Sequence, residues 1–324
     1  MSSALGSVAG ALAGAGADRV LGEPPLRWHP VARFGTLMSR VESITYAHSR
    51  VAGTAHLAIG VTGALAVGVG LRRVLGRHAA TAVATACCVA GKMLDDEALH
   101  ISRLVARDDL AAARERLRSL VGRSTEQLDA NEISRAVIES VAENCVDAVT
   151  ASIAFAAAGG APAVLAHRAV NTLDAMIGHR NDRYARFGWA TARLDDALNF
   201  VPARITALAV AAAQPRRAAA IAATVRRDAH RHPSPNGGVV EGAFAAALGV
   251  RLGGVNRYGE LVENRGTLGD GPPPEPADIA DAVALRRRCT LVLSASLAAL
   301  ALTRRALARR YPISRIGLTA GRIC

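Results

Sequence analysis

The nine residues Glu139–Asp147 (ESVAENCVD) carry the densest acidic chemistry in the chain. Glu139, Glu143 and Asp147 recur four residues apart, so a helix would place three carboxylates on one face. Like charges at that spacing repel, and a divalent cation or a cationic substrate group would justify them. The competing reading is a plain solvated helix face. A second polar stripe consists of His167, Asn171, Asp174 and Gly178, again on one helical face, followed by His179, Arg180, Asn181 and Asp182. Arg193, Asp195, Asp196, Asn199 and Arg204 come next, at the start of an apolar segment. Polar side chains there are costly unless they pair or bind something, and Arg193 with Asp196 or Arg204 with Asn199 could be structural pairs. Asp18 and Glu23 bracket Gly22, with His29 six residues on, and could line the mouth of a site. The loop His232–Gly238 (HPSPNGG), with Ser234, Asn236 and Glu241 beyond, could present backbone amides to a phosphate. A plain turn with Asn236 left-handed explains that loop equally well.

These sets sit at the ends of apolar segments. Uncharged or nearly uncharged runs lie near residues 1–17, 51–71, 79–91, 148–166, 198–214 and 289–303. About 20 apolar residues span a bilayer core, and Val51–Leu71 is the clearest span. Ala79–Gly91 reaches that length only if Lys92 snorkels. The first run could be a secretory signal ending at Ala15-Gly16-Ala17, but it lacks a basic start. Between runs, Leu94, Ala98, Ile101 and Val105 recur at helical spacing, and Asp129 with Glu132 forms a capping-box pattern. The expected fold is therefore all-α: one domain over 1–324, a multi-pass helical integral membrane protein with amphipathic cytoplasmic-facing helices. A soluble all-α protein with buried Ala-rich helices is the structural alternative.

Composition sharpens this. The 324 residues include 69 Ala and 30 Gly but only 3% aromatics, which suits closely packed helices and not a β-sandwich. The net charge is +12, and Lys92 is the only lysine among 39 basic residues. No recognition motif or aromatic platform accompanies the arginines, so nucleic acid is not an expected partner. They flank apolar runs instead, as at Arg286–Arg288, where headgroup contact with membrane lipid would suit them. Five cysteines without CxxC spacing exclude a zinc ribbon, and Gly91-Lys92-Met93 is no P-loop.

Taken in order, DRVLGEP, HPV, ESVAENxVD, NTLDxMxGxR, ARLDDxLNxxPAR and SPNxG make the chain from about Asp18 to Tyr258 similar to the cobalamin-biosynthesis CobD/CbiB family. Departures include Ser124 in place of the usual Asp, and His167 and His179 in place of Tyr. The resemblance implies a multi-pass protein of the inner cell membrane. It implies a ligase that joins (R)-1-amino-2-propanol, or its O-phosphate, to a propionate carboxyl of adenosylcobyric acid. ATP with Mg²⁺ is the implied driver, through an acyl phosphate attacked by the amine.

Within that resemblance, Glu139, Glu143, Asp147 and Asp174 are the candidate Mg²⁺ ligands. Glu139, Glu143 and Asp174 are also candidate catalytic groups, with His29 as the base that frees the amine. Arg180 and Arg193 are candidates for phosphate, and Asn144 and Asn171 for the amide or alcohol. Asp196, Asn199, Ser234, Asn236, Asp18 and Glu23 complete the candidate substrate contacts. Other corrinoid-pathway enzymes or a second copy of the chain stay open as partners. Two other functions compete: a non-catalytic membrane scaffold or transporter subunit, and a Mg²⁺-dependent intramembrane transferase. The latter would use Asp95-Asp96 and Asp195-Asp196, but no third Asp follows either pair.

Overall fold

A computed structural model describes residues 2–24, 26–179, 181–259 and 261–310. The helices run as α1 (Ser2–Leu21), α2 (Pro30–Thr45), α3 (Arg50–Cys88), α4 (Gly91–Ala106), α5 (Leu110–Leu117) and α6 (Ala130–Asn144). One π-turn, Cys145–Thr150, carries α6 into α7 (Ala151–Gly159). Then come α8 (Ala161–Ile177), α9 (Tyr184–Phe187), α10 (Trp189–Ala213), α11 (Ala218–Asp228) and α12 (Gly237–Leu248). A hairpin of β1 (Leu252–Tyr258) and β2 (Leu261–Leu268) precedes α13 (Pro276–Arg310).

Among the described residues, four helical stretches are long and apolar enough to cross a membrane: Arg50–Ala106, Ala130–Gly159, Trp189–Ala213 and Pro276–Ala308. This fits a multi-pass helical membrane protein. The first stretch is not one rod. Gly76 breaks α3 with φ +72°, a conformation a side chain would resist, and Val89-Ala90 separates α3 from α4. Small residues let the helices approach closely. A Cβ on Gly10 or Gly14 of α1 would fall 2.7 or 2.5 Å from a backbone carbonyl oxygen of α3. Gly68 is as tight against Pro162. At Gly53 the clash would be worst, 1.7 Å from the Phe187 carbonyl oxygen. Gly53→Ala should therefore cost about 1–3 kcal/mol of stability by overpacking, and a thermal melt of detergent-solubilised protein reads it.

The uncharged run Ala148–Ala166 is not the single span its length suggests. Gly160 takes φ +72° and turns the chain, so α7 and α8 form a hairpin. A Cβ there would meet Thr81 and Ser7, and Pro162 starts the return helix. The turn brings the end of α8 back beside the start of α7, and with it the two polar stripes that flank the run.

Beside the bundle, α4–α6, α11, α12, the hairpin and the first half of α13 share a larger apolar core. Leu94, Ala98, Ile101 and Val105 are all buried in it. The Asp129–Glu132 capping box is present, with Glu132 N donating to Asp129 Oδ1 at 2.8 Å and Asp129 N to Glu132 Oε2 at 3.0 Å. The hairpin was not foreseen. Its edge is held by Glu139, which accepts from Gly253 N at 2.8 Å, and a bulge lies between Gly253 and Val255.

Candidate active site

A cleft of about 740 Å³ lies where α6, the π-turn, α8, α10, the loop before α12 and β2 meet. Carboxylates dominate its wall: Glu143 from α6, Asp147 from the π-turn, Asp174 from α8, and Asp195 and Asp196 from α10. Asn199, Ser234, Asn236 and Arg265 also line it. Asp147 lies in the π-turn, where the wider coil breaks the four-residue register with Glu143. It turns to α8 and accepts from Asn171 Nδ2 at 3.1 Å. Asn171 also donates to Asp195 at 3.4 Å, and Arg168 donates to Asn171 Oδ1 at 3.2 Å.

A buried polar ladder extends from there. Asn199 Nδ2 donates to Asp195 at 3.0 Å, which leaves Asn199 Oδ1 facing His167 Nε2 at 2.9 Å. His167 stacks on Phe155, with centroids 4.7 Å apart. This ladder fixes the Asp195 rotamer. By contrast, Asp174 Oδ1 is buried without a hydrogen-bond partner. Gly178 makes room for it, since a Cβ there would fall 2.0 Å away.

The loop before α12 is clamped to α10. Arg204 donates to Asn236 Oδ1 at 2.8 Å and to the Pro235 carbonyl at 3.1 Å, and Asn236 donates to the Asp196 carbonyl at 2.8 Å. Arg204 thus pairs with Asn236, not Asn199. Asn236 is right-handed at φ −107°, not left-handed. Ser234 Oγ accepts from Asn236 N and Gly237 N, so those amides serve the loop itself and do not face a phosphate.

A second cavity of about 950 Å³ shares Gly178, His179, Ala192, Asp196 and Pro233 with the cleft. Its lining is basic: Arg193, Arg204, Arg226 and His230. An acidic lobe and a basic lobe therefore adjoin, one suited to an ammonium or metal ion and one to phosphate or carboxylate.

A sequence profile described as CobD/Cbib protein matches residues 11–286. The chain belongs to the CobD/CbiB family. The "Cobalamin biosynthesis protein CobD" of Mycobacterium tuberculosis (strain ATCC 25618 / H37Rv) is 49% identical over 284 residues, covering 86% of this chain and 90% of that protein. The protein of the same name from Pelobacter propionicus is 39% identical over 295 residues, covering 87% and 89%. No solved structure matches the chain. Family membership gives the chain a role in cobalamin biosynthesis, as a biosynthetic enzyme of that pathway.

In this CobD/CbiB chain several sequence candidates do not reach the cleft. Glu139 is 2% exposed and pairs with Arg123 at 2.5 Å, so its charge is used to hold the hairpin. Glu139, Glu143, Asp147 and Asp174 thus do not converge on one ion. Glu139→Gln should cost about 1–3 kcal/mol of stability by leaving Arg123 without its counter-charge. Turnover at permissive temperature should stay within a few-fold, and paired melting and activity assays check both. Asn144 turns to Ser140 of its own helix at 3.0 Å. His29, Glu23 and Lys92 line a third cavity of about 790 Å³, which also reaches Arg168, the donor to Asn171. There His29 Nε2 lies 2.8 Å from Glu23, and burial together with Arg168 lowers the His29 pKa. Asp18 accepts from Lys92 N at 3.2 Å. Arg193 lines the basic cavity together with Asp196, and Arg180 falls outside the described residues.

Sequence reasoning missed Arg265, which reaches Glu143 Oε1 at 3.4 Å from β2, a long-range contact of the hairpin that no local spacing encodes. It grouped Glu241 with the His232 loop, and the two side chains do meet, at 3.3 Å.

Proposed function

We propose that this enzyme forms the amide between (R)-1-amino-2-propanol, or its O-phosphate, and a propionate carboxyl of adenosylcobyric acid. The observation that carries the proposal is the acidic cleft sharing a wall with the arginine-lined cavity. The amine arrives as an ammonium and suits Asp174 and Asp195. The propionate and any phosphate suit Arg193, Arg204 and Arg226.

Amide formation joins the amine nitrogen to the carboxyl carbon, expels one carboxyl oxygen and releases a proton. ATP as co-substrate would let that oxygen leave as phosphate. The unpartnered Asp174 Oδ1 fits a cation, and Mg²⁺ reaches nucleotides through one or two carboxylates. Asp174 with Asp147 or Asp196 would hold it, and it would screen phosphate charge. His29 lies in a different cavity, so the cleft carboxylates are the proton acceptors at hand.

The transferase reading fares worse. Asp95 is buried in an ion pair with Arg286, and Asp195 is tied to Asn171 and Asn199. Membranes from cells with and without the protein, given adenosylcobyric acid, aminopropanol phosphate, ATP and Mg²⁺, test the proposal. Mass spectrometry should find adenosylcobinamide phosphate only where both protein and ATP are present. Equal product without the protein would overturn it.

A further inference from the structure

Beside the cleft, Glu143 meets two buried groups, His232 and Glu241, that the proposed chemistry does not use. Glu143, His232 and Glu241 each bring a ligand atom within 4.8 Å of the other two, and no other such group occurs among the described residues. The His232 and Glu241 side chains have no solvent exposure, and their closest approach is 3.3 Å. Nevertheless His232 Nε2 and both Glu241 carboxylate oxygens lack a hydrogen-bond partner. A buried carboxylate with both oxygens unsatisfied costs several kcal/mol unless a cation takes its charge or it takes up a proton, which Glu143 could share.

The neighbouring cations are already engaged. Arg123 pairs with Glu139 at 2.5 Å and also donates to Asn256. Arg265 faces Glu143 at 3.4 Å and Glu263 at 3.9 Å. Neither arginine pairs with Glu241, which faces the His232 ring at 3.3 Å instead.

The surroundings are also shaped for ligation. Ser234 presents its carbonyl to His232 Nδ1 at 3.2 Å. In the tautomer that donates Nδ1–H to that carbonyl, the Nε2 lone pair points into the cluster, the arrangement found behind most metal-bound histidines. The Ser234 amide, 3.0 Å away, would serve the opposite tautomer. Gly237 keeps the approach open, since a Cβ there would stand 2.6 Å from the His232 ring and 3.4 Å from Glu143 Oε1.

We infer that Glu143, His232 and Glu241 bind one divalent first-row transition ion of the Zn²⁺ or Mn²⁺ type, tying α6 to α12 and its preceding loop. The imidazole ligand argues against Mg²⁺, which favours all-oxygen shells. Glu143 also borders the cleft proposed above, but the inference rests on ligand geometry and not on the ligase reading.

The test uses the full chain in detergent, stripped with chelator and then titrated with Zn²⁺ and with Co²⁺ as a spectroscopic probe. One ion per chain is expected, with Co²⁺ visible bands showing nitrogen and oxygen ligation. Glu241→Gln and His232→Gln should each weaken binding at least ~100-fold, the upper end of what even second-layer changes cause. Glu143→Gln, at a half-exposed position that folding tolerates, should weaken it as well, and Asp174→Asn should leave it unchanged. A wild type that takes up less than a stoichiometric ion overturns the inference. So does retention of full binding in folded Glu241→Gln or Glu143→Gln. A metal-free wild type that melts no lower than Glu241→Gln also overturns it, and identifies a proton-sharing carboxyl pair. None of these readings depends on amide product, so failure here is separable from failure of the ligase proposal.

Discussion

Asp174→Asn is expected to lower kcat for amide formation by about 10²–10³-fold, the range seen when one preorganised electrostatic contact to a developing charge is removed. The change is isosteric, and Asp174 Oδ1 makes no hydrogen bond that the fold would lose. Stability should therefore hold while turnover falls. The neighbouring Asp195 is a useful contrast, because it anchors Asn171 and Asn199. Asp195→Asn should lower activity and melting temperature together. Steady-state rates alongside thermal melts separate the two. Full activity in Asp174→Asn would remove the acidic cleft from the chemistry.

The largest stability effect is expected at Asp95. Its carboxylate is fully buried and takes two hydrogen bonds from Arg286, at 2.6 and 2.7 Å, and a third from Arg287 at 2.7 Å. This pair joins α4 to α13 far along the sequence. Asp95→Asn leaves the Arg286 guanidinium buried without its counter-ion, which costs about 3–5 kcal/mol. The adjacent Asp96 supplies the control. Its pair with Lys92 is solvent-exposed, and Asp96→Asn should cost less than about 1 kcal/mol. Melting both variants in the same detergent checks the contrast.

That pair also shows where sequence reading ends. Arg286–Arg288 read as a headgroup-facing flank, yet Arg286 is 3% exposed and works inside the protein. Charge beside an apolar run is visible in the sequence, but its partner 191 residues away is not. Local signals did translate. The Asp129–Glu132 cap and the Leu94–Val105 stripe are properties of one helix and formed as written. Gly159, Gly160 and Pro162 were visible inside a span-length run, but length alone favoured a single crossing. Only packing against Thr81 and Ser7 selects the hairpin. The stripe Glu139–Glu143–Asp147 failed as one face for two reasons. A π-turn rotates its last member toward α8, and Arg123 claims its first. The polar residues of α8 and α10, spaced on continuous helices, do meet in the cleft.

The central proposal is that this protein forms the amide. The direct measurement is turnover by purified protein in lipid nanodiscs, given adenosylcobyric acid, aminopropanol phosphate, ATP and Mg²⁺. We expect adenosylcobinamide phosphate and inorganic phosphate to rise together in equal amounts, and both to form about 10²–10³-fold more slowly with Asp174→Asn. No corrinoid product from the wild type, or product formed equally by Asp174→Asn, would contradict it.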